Sequence, residues 1–183
     1  MVITMNTTKR FYKEVDLRLD SIDHEFLYHI RDTYKSSTIP VQGVNTDGTL
    51  RPVFYNYRNF YIKDAPIDYS GHQIYKKIAE LYESVLGKYD IDYAFKRSHL
   101  AYVPGTLPHH VDARDCVLTI PIGTPKHPIE WVDDSGKIIQ TYGYDKPSII
   151  NTRIKHGCVA NDEDRFLFQV GIHLPYAEVT AFL

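Results

Sequence analysis

The second half of the chain alternates short strand-like segments with turn-forming residues, and this alternation restricts the possible folds more than any other feature. Seven segments follow one another after residue 90: Ser98–Val103, Cys116–Ile122, Pro128–Val132, Lys137–Tyr142, Ser148–Ile150, Arg153–Val159 and Arg165–His173. Turns rich in Gly, Pro, Asn and Asp separate them, such as Asp133-Asp134-Ser135-Gly136. Many short strands at this spacing indicate a sandwich, a jelly roll or a barrel.

Two amphipathic segments precede these strands and predict helices. The first begins near Ser21, and the second spans 72–89 with Gly87 as a helix stop. Their apolar stripes are Ile22, Phe26, Leu27 and Ile30 in the first, and Ile74, Ile78, Leu81, Tyr82, Val85 and Leu86 in the second. Helices followed by strands predict a mainly β protein, with a β-sandwich core flanked on one side by N-terminal helices. We expect a single domain over 1–183, with a helical and loop flank at 1–95 and the β core at 96–183.

The composition excludes several classes of protein. Of the 183 residues, 43% are hydrophobic and 24% are charged, as in ordinary globular domains, so global disorder is excluded. The net charge of −2 gives no general attraction to nucleic acid, which is not excluded as a substrate but is not indicated either. No apolar run approaches the roughly 20 residues of a membrane-spanning helix, so we expect no membrane partner. The two cysteines, Cys116 and Cys158, are too few for a disulfide framework, and we expect a reducing, cytoplasmic location.

A histidine and an aspartate near the middle of the chain have the spacing of metal ligands. His110 and Asp112 are separated by one residue, so in an extended segment their side chains point to the same face. His156, in a later strand-like segment, is the natural third ligand. Two imidazoles and one carboxylate on one face of a metal, with three positions open, form the arrangement of non-haem Fe(II) oxygenases. His109 competes with His110 for this role, and the face shared with Asp112 favours His110.

An arginine near the start of the last strand-like segment predicts an anionic ligand. Arg165, Leu167 and Gln169 share one face of this strand, and Phe166 and Phe168 share the other. An arginine on the inner face of a sandwich is costly without an anionic partner. Its planar fork matches a carboxylate, so a dicarboxylate with one end on the metal and the other on Arg165 would fill the need.

These residues together make the sequence resemble a known family. The relevant pieces are Tyr102-Val103-Pro104-Gly105, His110-Val111-Asp112, His156-Gly157-Cys158-Val159-Ala160-Asn161 and Arg165. Their order resembles the Fe(II)- and 2-oxoglutarate-dependent oxygenases, most of all the prolyl and aspartyl/asparaginyl hydroxylase branches. The resemblance covers roughly residues 98–173, and the spacing of the H-x-D, H and R pieces is its most specific part.

The resemblance implies a fold, an activity and a role for each residue. The fold would be a double-stranded β-helix (a cupin-like jelly roll) over 96–183, flanked by the N-terminal helices. His110, Asp112 and His156 would bind Fe(II). Arg165 would pair with the far carboxylate of the co-substrate 2-oxoglutarate, and Tyr102 would hydrogen-bond the same carboxylate. The protein would then use dioxygen to hydroxylate a primary substrate, for which an amino-acid side chain, free, in a peptide or in a protein, is the first candidate.

Other interpretations stay open at this point. A cupin-type metalloenzyme that does not use 2-oxoglutarate would share the metal ligands but have no use for Arg165. A non-catalytic binding module on the same fold is the third hypothesis, and the intact His110, Asp112 and His156 argue against it. The segment 42–61 is our candidate for a lid over the site, because its tyrosines and arginines could contact a substrate.

Overall fold

The chain's computed structural model describes residues 10–40, 57–125, 127–158 and 163–183. Its elements in chain order are β1 (Tyr12–Glu14), α1 (Ser21–Tyr34), β2 (Ile39–Pro40), β3 (Arg58–Tyr61), a 3-10 turn (Ile62–Asp64), α2 (Gln73–Leu86), α3 (Ile91–Lys96), β4 (Ser98–Pro104), β5 (Leu107–His110), β6 (Cys116–Ile122), β7 (Ile129–Val132), β8 (Ile138–Tyr142), β9 (Ser148–Asn151), β10 (His156–Cys158), β11 (Asp164–Ile172) and α4 (Tyr176–Phe182). None of the helices in these ranges is long and apolar enough to cross a bilayer.

The strands form two antiparallel sheets. The larger has the order β1-β9-β6-β11-β4-β3-β2, and the smaller has the order β5-β10-β7-β8. From β4 onward the chain passes back and forth between the two sheets, as the winding of a double-stranded β-helix requires. The predicted mainly β jelly roll with N-terminal helices is confirmed.

The larger sheet separates two hydrophobic cores, because side chains alternate between its faces along each strand. Its inner face meets the smaller sheet in a cluster that includes Val117, Leu167 and the fully buried Trp131. Its outer face packs against all four helices through residues such as Leu118 and Phe168. Burying a side chain of this size stabilises the fold by about 1.5–3 kcal/mol. The core shared by helices and sheet supports a single domain over 1–183, which stays a prediction.

Both predicted helices are present, and the structure explains their ends. The cap of α1 is Asp20, whose carboxylate accepts from the backbone N–H of Asp23 at 3.1 Å, while Asp23 accepts in return from Asp20 N–H at 2.9 Å. The helix therefore begins at Ser21, near the predicted start, and its cap is the residue before it. Helix α2 ends where predicted, because Gly87 adopts a left-handed conformation with φ of 67°. Lys77 of α2 bridges Asp20 and Asp23 and ties the two helices together.

Two strands next to the site differ from the prediction. Strand β10 covers only His156–Cys158, because the side chain of Asn151 accepts from Arg153 N–H at 3.1 Å and turns the preceding residues out of the sheet. Strand β5 was not predicted, since Pro108 lies inside it. Because β5 is an edge strand, the missing N–H of that proline removes no necessary hydrogen bond.

Candidate active site

Strand pairing brings the two predicted histidine ligands together. Strand β5 ends at His110 and pairs antiparallel with β10, which begins at His156, and these two residues are direct partners in the register. Their ring centroids are 4.6 Å apart. Asp112 follows in a loop that is fixed by a hydrogen bond from its N–H to Thr152 O at 3.0 Å. The three side chains therefore meet at one end of the sandwich.

The three side chains have the geometry of an open metal site. One ligand atom from each of His110, Asp112 and His156 lies within 4.8 Å of the others. The Nδ1–H groups of the histidines donate to main-chain oxygens, His110 to Pro108 and His156 to Ile154, both at 2.8 Å. These bonds place the ring hydrogen of each histidine on Nδ1, so that Nε2 is the atom with which each would ligate a cation.

The electrostatics of the site favour the protonation states that a metal needs. Burial, together with the neighbouring His110, lowers the pKa of His156 to about 4, so its imidazole is neutral near pH 7. Burial alone would raise the pKa of Asp112, but the Arg114 guanidinium and His110 outweigh it and hold that pKa well below its usual range. A neutral imidazole and a carboxylate are the forms that bind a divalent cation.

A cavity extends from the triad into the sandwich. Its empty space, counted together with the part open to solvent, is about 460 Å³, and apolar side chains such as Val103, Ile129 and Leu167 line it. Arg165 forms one of its walls and is only 5% exposed. The guanidinium donates to His127 O and to Cys158 Sγ, the latter at 2.8 Å, and lies 5.3 Å from the centroid of the Tyr144 ring. These three partners carry no negative charge, so none of them neutralises the guanidinium. Arg165 therefore brings a positive charge to the wall of the cavity.

The structure does not bring Tyr102 to this cavity. Its neighbour Val103 points inward, so Tyr102 points to the opposite face of the sheet, as alternation along a strand requires. There its hydroxyl donates to Asp164 Oδ2 at 3.0 Å and its ring stacks on Phe166 with centroids 4.7 Å apart. The prediction that Tyr102 hydrogen-bonds the co-substrate is therefore corrected.

Two other tyrosines line the cavity. Tyr57 belongs to the predicted lid, 42–61. Residues 58–61 of that segment form β3 in the larger sheet, and residues 42–56 lie outside the described residues, as does the motif piece 159–161. Tyr144 has a φ of 59° and is the one non-glycine residue with positive φ in the described part of the chain. A residue held in this costly conformation is a mark of a functional site. Nothing in the sequence around Tyr144 signals that conformation.

Arg114 also lines the cavity, and the sequence analysis missed it. Its Nε–H donates to Asp112 Oδ2 at 3.0 Å. The signal was available, because Arg114 follows Asp112 at the same two-residue interval that relates His110 to Asp112. His109 lies apart from the triad, with Nε2 at 3.4 Å from Glu130 Oε2.

Replacing Gly157 with alanine is expected to separate the histidines of the triad. A Cβ at this position would lie 2.7 Å from Leu107 O and 2.9 Å from His109 N, both of them main-chain atoms of β5. Strand β5 would have to move away from β10, at a cost of about 1–3 kcal/mol. We expect Gly157→Ala to weaken Mn(II) binding in calorimetric titrations by roughly tenfold or more, a cost of at least about 1.4 kcal/mol.

The matched control is Gly143→Ala, because an added Cβ there meets nothing within 4 Å. This variant should bind Mn(II) as the wild type does. Wild-type Mn(II) affinity in Gly157→Ala would show that the strand pairing accommodates the methyl group and does not set the distance between His110 and His156.

The stability of the metal-free protein is expected to fall with pH below about 6.5. Burial lowers the pKa of His99 to about 3, and that of His156 to about 4, whereas both would titrate near 6.5 in the unfolded chain. Between these values the unfolded state binds more protons, so the free energy of unfolding decreases as the pH decreases. Each histidine contributes at most about 1.4 kcal/mol per pH unit.

Urea unfolding of the metal-free protein between about pH 7 and pH 5 measures this slope. The variant His99→Gln should show a shallower slope, because one of the two buried histidines is then absent. A free energy of unfolding that does not change over this range would contradict the burial of neutral imidazoles at both positions.

Comparison with known proteins concerns the fold. No protein-family model and no curated protein matches the chain. A prolyl hydroxylase from Trichoplax adhaerens, solved with a peptide fragment of the hypoxia inducible factor oxygen degradation domain, matches 96% of this chain and 88% of its own, with a TM-score of 0.58 and 13% identity. A Pseudomonas putida prolyl-4-hydroxylase matches 90% and 93% (TM-score 0.55, 10% identity), and AviO1 from Streptomyces viridochromogenes matches 90% and 90% (TM-score 0.51, 14% identity). The chain therefore has the jelly-roll fold of these prolyl hydroxylases.

Proposed function

We propose that this protein is an Fe(II)- and 2-oxoglutarate-dependent dioxygenase that hydroxylates a second substrate. The observation that carries the proposal is one cavity that contains both an open triad of two imidazoles and a carboxylate and an inward-facing arginine. The fold shared with two prolyl hydroxylases supports it. The fold alone would not support this function, because jelly rolls host many functions.

The donor set of the triad fits iron. Two nitrogen ligands and one carboxylate oxygen suit Fe(II), and the hydrogen-bonded Nδ1 atoms of His110 and His156 hold the rings in the ligating orientation. We therefore assign His110, Asp112 and His156 as the ligands. When iron, 2-oxoglutarate and dioxygen are bound, such a centre decarboxylates the co-substrate to succinate and oxidises a C–H bond of the substrate.

Arg165 is proposed to bind the distal carboxylate of 2-oxoglutarate. Its guanidinium is buried beside uncharged groups, and a carboxylate would supply the missing negative charge. Burial raises the pKa of the Tyr144 hydroxyl beside it, so this group stays protonated and can donate. Tyr144, rather than Tyr102, is therefore proposed to hydrogen-bond this carboxylate.

The primary substrate is proposed to be an amino-acid side chain, free, in a peptide or in a protein. The peptide bound to the Trichoplax adhaerens prolyl hydroxylase supports this class. A nucleic-acid substrate is not indicated. The cytoplasmic location also remains an expectation, with both cysteines, Cys116 and Cys158, free and buried.

Two measurements on the purified protein test the proposal. Anaerobic calorimetric titration with Fe(II) or Mn(II) should show binding, and a decarboxylation assay without primary substrate should release succinate from 2-oxoglutarate. A protein that binds metal but neither binds nor turns over 2-oxoglutarate would favour the cupin-type metalloenzyme. A protein that binds no metal would favour the non-catalytic binding module.

A panel of free amino acids and peptides should then identify the substrate class. A true substrate is expected to stimulate succinate release and to gain the mass of one oxygen atom, which mass spectrometry detects. Stimulation by nucleotides alone would contradict the proposed class while leaving the reaction type intact.

A further inference from the structure

The side chain of Arg114 is held at three points inside the cavity. Nε donates to Asp112 Oδ2 at 3.0 Å, and Nη2 donates to Gln169 Oε1 at 3.2 Å. Nη1 lies 3.3 Å from His99 Nε2. The stem of the side chain crosses Gly171, where a Cβ would lie 3.9 Å from Cδ. A planar fork bound at several nitrogens has one orientation, so its contact with Asp112 is fixed.

The partner on the far side of Arg114 is itself anchored. Gln169 donates through Nε2 to Thr119 Oγ1 at 3.1 Å and accepts from the Tyr57 hydroxyl at 3.1 Å. Gln169 is only 4% exposed, and Thr119 is fully buried. The amide oxygen is therefore fixed toward Arg114 and is shared with the Tyr57 hydroxyl and with His99 Nε2, which lies 3.1 Å away, so the arrangement from Thr119 to Asp112 is rigid.

This arrangement divides the two oxygens of Asp112. Oδ2 accepts from Arg114, whereas Oδ1 lies 3.4 Å from His110 Nε2, on the side of the triad. We infer that Arg114 is a positioning residue that holds Asp112 as a one-oxygen ligand. This inference rests on the proposed function.

The consequence concerns the number of open positions on the metal. A triad with a one-oxygen carboxylate leaves three positions of an octahedral ion open, which the 2-oxo acid end of the co-substrate and dioxygen together require. A carboxylate that was free to turn would bind the metal through both oxygens and would occupy one of these three open positions. Arg114 also places a positive charge next to the cation, which opposes metal binding. Arg114 thus favours co-substrate chelation at the expense of metal affinity.

The test compares two affinities in Arg114→Gln. Calorimetric titration under anaerobic conditions gives the Kd of Mn(II) for the metal-free protein and the Kd of 2-oxoglutarate for the Mn(II)-loaded protein. We expect Mn(II) binding as tight as in the wild type or tighter, and 2-oxoglutarate binding weakened by about 10–100-fold. A residue that only supported the fold would weaken both together and lower the melting temperature of the Mn(II)-loaded protein.

Two further variants complete the design. Arg153→Gln is the matched control, because Arg153 is half exposed and its Nη1 contacts the main-chain oxygens of Asp112 and Ala113 at 3.3 Å, not the carboxylate. It should leave both affinities unchanged. Arg114→Lys keeps the charge but lacks the planar fork that holds Arg114 in one orientation between Asp112 and Gln169, so we expect the same loss of 2-oxoglutarate affinity. This variant decides the question if Arg114→Gln does not fold.

Two results would overturn the inference. One is wild-type 2-oxoglutarate affinity in both Arg114 variants, and the other is an equal loss of Mn(II) and 2-oxoglutarate affinity. Failure of the proposed function would show itself differently, because the Mn(II)-loaded wild type would then bind no 2-oxoglutarate at all.

Discussion

Replacing Asp112 with alanine is expected to abolish metal binding and, with it, all succinate formation from 2-oxoglutarate. Asp112 is the only carboxylate of the triad, and the two imidazoles that remain supply no negative charge to balance a divalent cation in a low-dielectric cavity. The variant also leaves Arg114 without its charged partner. Because both side chains are about one-fifth exposed, we expect a loss of stability of no more than about 3 kcal/mol.

A second substitution separates ligand loss from misfolding. In Asp112→Asn the amide oxygen can still accept from Arg114, so the fold should persist while the negative charge is absent. We expect this variant to melt near the wild-type temperature and still to bind no Mn(II) in calorimetric titrations. Succinate release at the wild-type rate from Asp112→Asn would remove the carboxylate from the proposed mechanism.

Adjacent histidines supply an internal control for the same prediction. His156→Ala and His110→Ala should each lose metal binding, whereas His109→Ala should keep it and much of the activity. His109 directs its Nε2 toward Glu130 and does not line the cavity. If His109→Ala loses activity and His110→Ala retains it, the ligand has been assigned to the wrong histidine.

Much of the site could be predicted from the sequence because side chains alternate between the two faces of a strand. The shared face of Arg165, Leu167 and Gln169 follows from the period of two along a strand, and all three side chains line the cavity. The same reasoning favoured His110 over His109 as the neighbour of Asp112. Such arguments succeed where one strand is long enough to fix which side chains face inward.

The sequence could not place residues whose position depends on pairing between strands. Tyr102 and Val103 are adjacent, and only the pairing of β4 with β11, in which Val103 opposes Arg165, decides that Val103 faces the cavity. A one-residue difference in register exchanges the two faces of a strand. The resemblance placed Tyr102 in the site by its position ahead of the H-x-D piece, and that position does not determine which face of β4 the side chain occupies.

Side-chain contacts within the cavity were even harder to predict from the sequence. Arg114 reaches Asp112 from the same loop, but its other partners, His99 and Gln169, come from β4 and β11, far away along the chain. A buried polar cluster of this kind has no periodic signature. It becomes visible only when the strands that contribute to it are assembled.

Arg165→Met is expected to remove 2-oxoglutarate binding while leaving metal binding intact. The methionine fills much of the same volume, and the guanidinium of Arg165 contacts His127 O, Cys158 Sγ and the Tyr144 ring rather than the triad. Loss of a buried charge-assisted contact to a carboxylate costs about 3 kcal/mol, which corresponds to a rise in the Kd of 2-oxoglutarate on the order of 100-fold.

The control for Arg165 is Arg165→Lys, which keeps the charge but not the two-nitrogen fork. Its Kd for 2-oxoglutarate should lie between those of the wild type and Arg165→Met, because an ammonium group binds a carboxylate as a single point charge. Anaerobic calorimetry on the Mn(II)-loaded proteins measures all three values. Equal 2-oxoglutarate affinity in the wild type and Arg165→Met would leave Arg165 without a ligand and would favour the cupin-type metalloenzyme, since that enzyme needs the triad but no dicarboxylate.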